Sequence, residues 1–177
     1  MIFIGIDNGT TGTIGFYRNG VGQNYKMPTM QRDGFLQKEK KENRIDFLSL
    51  CDFIKNKTQG VPKEMIYLAI ERPFQGANSF TSSIANRSFE AQRIAVELSG
   101  CDCAVVAASY WQKDLLGSSG KKSKECAREL ADSLFPERKI KDQDGLLIAY
   151  WLFLRANQMG IPFNNHFIKS IQKQIFR

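Results

Sequence analysis

Apolar positions cluster in short blocks at the start of the chain: Ile2 to Ile6, then Thr13 to Tyr17, then Val21 to Lys26. Blocks of this length, rich in Ile, Phe and Tyr, predict three strands. Asn19-Gly20 supplies two residues that tolerate positive φ, so an antiparallel hairpin opens the fold. From Arg32 to Asn43 charges crowd together and apolar residues thin out, which predicts an exposed loop. Asp46 stands where it can cap a helix that presents Phe47, Leu48, Leu50, Cys51, Phe53 and Ile54 at helical spacing and ends between Asn56 and Gly60. After Pro62, the continuous apolar run Met65 to Ile70 predicts a strand covered on both faces, with Glu71 at its end.

In the second half, the spacing of Ile84, Phe89, Ile94, Val96 and Leu98 predicts a helix over 84–98 with Gly100 as its stop, followed by a strand from Cys101 to Ala108. Two short helices come next, Tyr110 to Leu115 and Ser123 to Leu134, divided by Gly117-Ser118-Ser119-Gly120 and closed by Pro136. A last helix opens at Asp142 or Asp144 and runs through Leu154. The chain shows no repeat, low-complexity tract or dividing linker, which predicts one domain over 1–177. The element order is that of an α/β fold, a mixed sheet with helices on its faces. The stretch 163–177 sets lysines opposite apolar residues; packing on the domain or on a dimer partner is expected of it, not membrane contact. His166, the lone histidine, is expected to be structural or solvent-exposed.

Composition sharpens this picture. With 177 residues, 42% apolar and 24% charged, the chain can bury one sizeable core. An excess of 25 Lys and Arg over 18 Asp and Glu gives a net charge of +7 and a pI near 9.3, which points to a polyanionic partner such as nucleic acid or an anionic membrane surface. The 4 cysteines form no Cys-x-x-Cys pair and only one histidine accompanies them, which argues against a zinc site and a disulfide framework. No apolar run is long enough to span a bilayer and no basic leader precedes the first strand, so a soluble, reduced, cytoplasmic protein is expected, with no membrane partner.

Three acids stand inside or at the end of otherwise apolar elements: Asp7, Glu71 and Asp144. An unpaired buried carboxylate is strongly disfavoured, so each needs a cation, a hydrogen-bond network, a metal or a proton. Strand-end Asp residues also serve turns, and Asp142 or Asp144 can cap a helix. Neighbouring strand ends under a helix N-terminus would bring all three acids together, however. Several hard oxygen ligands without histidine or thiolate suit Mg²⁺ or Mn²⁺. Two such ions about 3.5 to 4 Å apart can drive phosphodiester hydrolysis.

The opening Gly5-Ile6-Asp7-Asn8-Gly9-Thr10-Thr11-Gly12 resembles two families of one ancestral fold. One is the sugar kinase and Hsp70 superfamily, whose nucleotide sites need two large lobes that this length does not supply. The other is the RuvC-type Holliday junction resolvases of the ribonuclease H-like superfamily, which the rest of the chain favours. Ala69-Ile70-Glu71-Arg72-Pro73-Phe74 resembles their second motif, a strand-end Glu with an aromatic three residues on. Asp144-Gly145-Leu146-Leu147-Ile148-Ala149 resembles their last, Asp-Ala-Leu-Leu-Ile-Ala, with Gly for Ala. Trp111-Gln112-Lys113, Lys121-Lys122-Ser123-Lys124 and Leu134-Phe135-Pro136 follow the order of the phage and plastid branch, so the resemblance spans Ile2 to about Leu154. One departure is plain: the family's further acid or histidine lies three residues before the last Asp, where this chain has Lys141, with Asp142 only two residues before.

The resemblance implies a ribonuclease H-like mixed β-sheet with an N-terminal antiparallel hairpin and helices on both faces. It implies a hydrolase that resolves four-way DNA junctions by paired symmetric nicks. Two Mg²⁺, with Mn²⁺ as a substitute, would be held by Asp7, Glu71, Asp144 and Asp142, the last favoured because it can reach the metals from just before the helix. Alternatively Lys141 meets the scissile phosphate and three carboxylates bind metal. The resemblance further implies a C₂ homodimer through the helix over 84–98, which suits two related nicks, and a phage or bacterial source. Phe74 would stack on an unpaired base, with a place in the core as its alternative. Arg72, Lys113, Lys121, Lys122, Lys124 and Lys139 would contact DNA phosphates, or else form ordinary solvated surface. Other readings are a ribonuclease H-like nuclease acting on RNA/DNA hybrids or flaps, and an inactive junction binder in which Lys141 marks lost chemistry.

Overall fold

The computed structural model describes residues 1–33, 41–73, 79–117, 121–138 and 140–159. Strands β1 (Ile2–Ile6), β2 (Thr13–Arg18) and β3 (Val21–Lys26) form the expected antiparallel meander, and Asn19 and Gly20 take φ of 52° and 82° at the turn between β2 and β3. Two short strands follow, β4 (Thr29–Arg32) and β5 (Glu42–Ile45). Helix α1 (Phe47–Thr58) is capped by Asp46, whose carboxylate accepts from the Ser49 N–H at 3.1 Å. A 3₁₀ turn takes up Met65, so strand β6 (Ile66–Glu71) starts one residue later than the apolar run suggests. Then come α2 (Ser79–Leu98), β7 (Ala104–Val106), α3 (Ala108–Leu116), α4 (Lys121–Leu134) and α5 (Asp144–Met159). The main sheet runs β3-β2-β1-β6-β7, with β1, β6 and β7 parallel.

Period-two alternation divides the core between the two faces of this sheet. Ile2, Ile4 and Ile6 join Ile14, Phe16, Leu68 and Ile70 against Leu50 and Ile54 of α1 and Ala95 and Val96 of α2. Phe3, Tyr17, Tyr67 and Ala69 face the other way, toward Trp111 of α3 and Leu146 to Ala149, Trp151 and Leu152 of α5. Helices thus cover both faces, as expected. The start of α5 presses onto the strands: a Cβ on Gly5 would stand 2.2 Å from the Gly145 carbonyl oxygen, and one on Gly145 would stand 2.5 Å from that of Thr13. Glycine at 145, where the resembled motif has alanine, is a condition of this contact.

Several boundaries differ from the sequence reading. The segment read as an exposed loop from Arg32 to Asn43 borders a two-stranded ribbon in which β4 pairs with β5. The pairing is polar, Arg32 opposite Glu42 and Gln31 opposite Asn43, so no hydrophobic alternation announces it. The strand expected over 101–108 shortens to β7, which pairs only at Ala104 to Val106, while Ala108 already begins α3. Helix α2 begins five residues early, in a Ser/Thr-rich turn without apolar periodicity, and α5 continues five residues past Leu154. Phe74, Lys139, His166 and the stretch 163–177 lie outside the described residues. Among the described residues no helix is long and apolar enough to cross a membrane.

Candidate metal centre

The register of the sheet aligns two acids. Ile6 pairs with Ile70 in the parallel β1–β6 ladder, so Asp7 and Glu71 follow at adjacent strand ends, in step with Phe3 and Gly5 and with Tyr67 and Ala69 on the face that α5 covers. The chain turns back at once after Asp7. The Asp7 N–H donates to the Thr13 carbonyl at 3.0 Å, and a Cβ on Gly12 would stand 2.4 Å from the Asp7 carbonyl oxygen. The Gly-Thr-Thr-Gly run thereby folds tightly beside the Asp7 carboxylate. Two side chains tie this corner to α2: Asn8 Nδ2 donates to the Ala85 carbonyl at 3.3 Å and Gln92 Nε2 to that of Asp7 at 3.4 Å.

Helix α5 delivers Asp144 as its first residue, and Asp142 lies two residues earlier, in non-helical backbone. One ligand oxygen from each of Asp7, Asp142 and Asp144 lies within 4.8 Å of the others. Glu71 stands beside this group, its Oε2 accepting from the indole Nε1–H of the buried Trp111 at 2.7 Å. Asp142 Oδ1 accepts from the Thr13 hydroxyl and from the Asp144 N–H, each at 3.2 Å.

The electrostatics follow from burial and crowding. Asp7 is raised well above the usual carboxyl range by desolvation and then by the charges of Glu71, Asp144 and Asp142. Burial pushes Glu71 up to about 7 against the Trp111 hydrogen bond, with Asp144 and Asp142 adding to the rise. Asp144 is pushed up to about 6 by burial and Asp142, while Lys124 of α4 draws it back. Like charges held this close in a poorly solvated site favour protons or a cation. The donors are all carboxylate oxygens, the chemistry of a hard divalent ion.

Of the other residues singled out in the sequence, Lys124 stands close enough to act on Asp144 and is solvent-exposed. Arg72, Lys113, Lys122 and Lys141 are exposed as well, Arg72 directly after Glu71 and Lys141 directly before Asp142. Lys121 opens α4. Sequence reasoning missed Thr13, Asn24, Gln92 and the role of Trp111 as partner to Glu71. Their signal was faint: a threonine and an asparagine within strands, and a glutamine on the inner face of a helix.

A mixed five-stranded sheet of this order, covered on both faces and carrying acids at the ends of its central parallel strands, is the ribonuclease H-like fold. Among solved structures the chain is similar to RuvC of Thermus thermophilus. The RuvC of T. thermophilus in complex with Holliday junction substrate matches with a TM-score of 0.56 and 14% identity, over 92% of this chain and 98% of that one. A second T. thermophilus RuvC structure matches at 0.52 and 16%, with the same coverage. No family model matches the chain, and no curated protein matches it in sequence.

Proposed function

We propose that the chain is a metal-dependent endonuclease that resolves four-way DNA junctions, working as one RuvC-like nuclease domain within a two-fold homodimer. One observation carries the reading: Asp7, Asp142 and Asp144 meet within 4.8 Å, with Glu71 alongside, at strand ends of a fold shared with RuvC. The T. thermophilus protein is described in complex with a Holliday junction, and the basic charge of this chain suits the same kind of partner.

Asp7, Glu71, Asp142 and Asp144 are the residues that would hold Mg²⁺, two ions per site, with Mn²⁺ as a substitute. Their oxygen-only donors, and the raised proton affinities of Asp7, Glu71 and Asp144, fit a divalent cation. Such ions supply Lewis acidity at a phosphodiester, the chemistry that leaves 5′-phosphate and 3′-hydroxyl ends. The chain's own part is to hold the four carboxylates converged, with Asp7, Glu71 and Asp144 poorly solvated. Lys124, beside Asp144, is suited to a phosphate oxygen near the reacting one. Lys113, Lys121, Lys122, Lys139, Lys141 and Arg72 are assigned to the backbone of the arms, contacts that give affinity and orientation without sequence readout. Phe74 is assigned to stacking at the junction centre.

The test is cleavage of end-labelled synthetic four-way junctions beside linear duplex, flap and RNA/DNA hybrid, with Mg²⁺ and with chelator. Paired symmetric nicks in the junction, lost in chelator, are expected. Asp7→Asn is expected to abolish them while junction binding stays within about twofold, because a ligand is lost and the basic surface is kept. Binding without cutting would leave a junction-binding protein. Cutting confined to another substrate would keep the acidic centre and replace the junction.

A further inference from the structure

Asp142 has no helix to hold it. It precedes α5 by two residues, it is solvent-exposed, and a carboxylate on irregular backbone loses conformational freedom when it must meet Asp7 and Asp144. Two buried polar side chains from the neighbouring strands supply the restraint. Asn24 of β3 donates from Nδ2 to the carbonyls of Ile140 at 2.9 Å and Asp142 at 2.8 Å, which pins the backbone on both sides of Lys141. Thr13 of β2 donates its hydroxyl proton to Asp142 Oδ1 at 3.2 Å, and the hydroxyl oxygen itself accepts from the Gly145 N–H at 3.2 Å. That single hydroxyl links the acid to the first turn of α5.

We propose that Thr13 and Asn24 are positioning residues that deliver Asp142 to the acidic centre in place of a helical turn. The proposal rests on the metal-centre reading above and extends it to how this chain accommodates an acid spaced two residues from Asp144. Burial argues for a dedicated role, since Thr13 is 1% exposed and Asn24 6%, and at that depth the Thr13 hydroxyl and the Asn24 Nδ2 both donate to the segment around Asp142, although Asn24 Oδ1 has no hydrogen-bond partner among the described residues. The pattern on the carboxylate argues the same. Among the described residues both donors sit on Oδ1, the Thr13 hydroxyl and the Asp144 N–H, so Oδ2 is left to accept a cation. Lys141 is turned to solvent by the same strap, since the carbonyls flanking it are both held inward by Asn24.

The test is Mn²⁺ binding to the full chain, followed by the paramagnetic resonance of free Mn²⁺, beside thermal unfolding in chelator. Thr13→Val keeps the shape and removes the hydroxyl; Thr13→Ser keeps the hydroxyl; Asn24→Leu removes the strap from the other strand. Loss of a group that orients a metal ligand weakens binding by about 10- to 100-fold. Thr13→Val and Asn24→Leu are expected to weaken Mn²⁺ binding by about tenfold, with Thr13→Ser within about twofold of wild type. Added to Asp142→Asn, Thr13→Val should weaken binding no further, because it acts through that carboxylate. Folded variants that bind Mn²⁺ as wild type does, even with a lowered unfolding midpoint, would reduce both residues to structural ones and overturn the proposal. A wild-type chain that takes up no Mn²⁺ would overturn the metal-centre reading and this one with it.

Discussion

A carboxyl that holds its proton more tightly in the folded chain than in the unfolded one makes folding prefer low pH. Asp7, Glu71 and Asp144 are all of this kind, lifted by burial first and then by neighbouring carboxylates, Asp142 among them, Glu71 to about 7 and Asp144 to about 6. Between the ordinary carboxyl range, roughly pH 4, and those values the folded state binds more protons, so stability from these groups is full below that window and lost as pH rises through it. In chelator the unfolding midpoint should therefore fall between about pH 5 and about pH 7.5, and Mg²⁺ should raise it more at the upper pH, where the carboxylates are free of protons. A midpoint that climbs with pH in chelator would mean that burial and crowding do not lift these acids. Trp111 acts at the same scale. Its indole N–H holds Glu71 down, so Trp111→Phe should shift the acid limb of the cleavage pH profile upward, a displacement that lost packing alone does not produce.

At the scale of elements, the contact of α5 with β1 and β2 sets how far Asp144 stands from Asp7. Gly145→Ala restores the alanine of the resembled motif, yet its Cβ would lie 2.5 Å from the Thr13 carbonyl oxygen, a backbone atom that cannot swing away. The substitution should destabilise by about 1 to 3 kcal/mol in urea denaturation, as overpacking does. It should also disturb the Thr13 hydroxyl that bonds the Gly145 N–H. An unchanged midpoint would mean that the helix can lift without cost. The same contact explains what was legible in the sequence. Strands β1, β2 and β6 show as apolar runs, and the acids at the ends of β1 and β6, Asp7 and Glu71, show as the charge that closes such a run, because a covered strand favours apolar residues along its length. The ribbon β4–β5 was illegible because its strands pair through Arg32, Glu42, Asn43 and Arg44, a pattern identical to solvated loop. Thr13 and Asn24 were illegible for a related reason: each is one polar residue in a strand, and its partner lies more than a hundred positions away.

At the scale of the whole molecule, the proposed paired cuts on opposed strands would be served by two centres related by a two-fold axis, since one chain carries one group of converged acids among its described residues. Helix α2 offers the surface for such an axis. Ile84, Ile94 and Leu98 recur at separations of ten and four residues, which puts them on one side of the helix, and Ile94 and Leu98 are among the large apolar residues left exposed. A helix side of this kind pairs with its own copy in an isologous contact, each residue meeting its symmetry partner or a near neighbour. The helix also touches the acidic centre directly, through Asn8 on Ala85 and Gln92 on Asp7, so the axis and the two centres would be held in fixed relation. Ile94→Glu with Leu98→Glu places like charges across that axis and should convert a dimer to a monomer in sedimentation velocity. If the dimer couples the cuts, the monomer should still bind Mn²⁺ at its intact acids but nick junctions singly, without the paired symmetric products. A double variant that sediments as wild type does would move the axis off α2. One that is monomeric and still yields paired nicks would show that the two cuts need no dimer, and would leave this side of α2 to another partner.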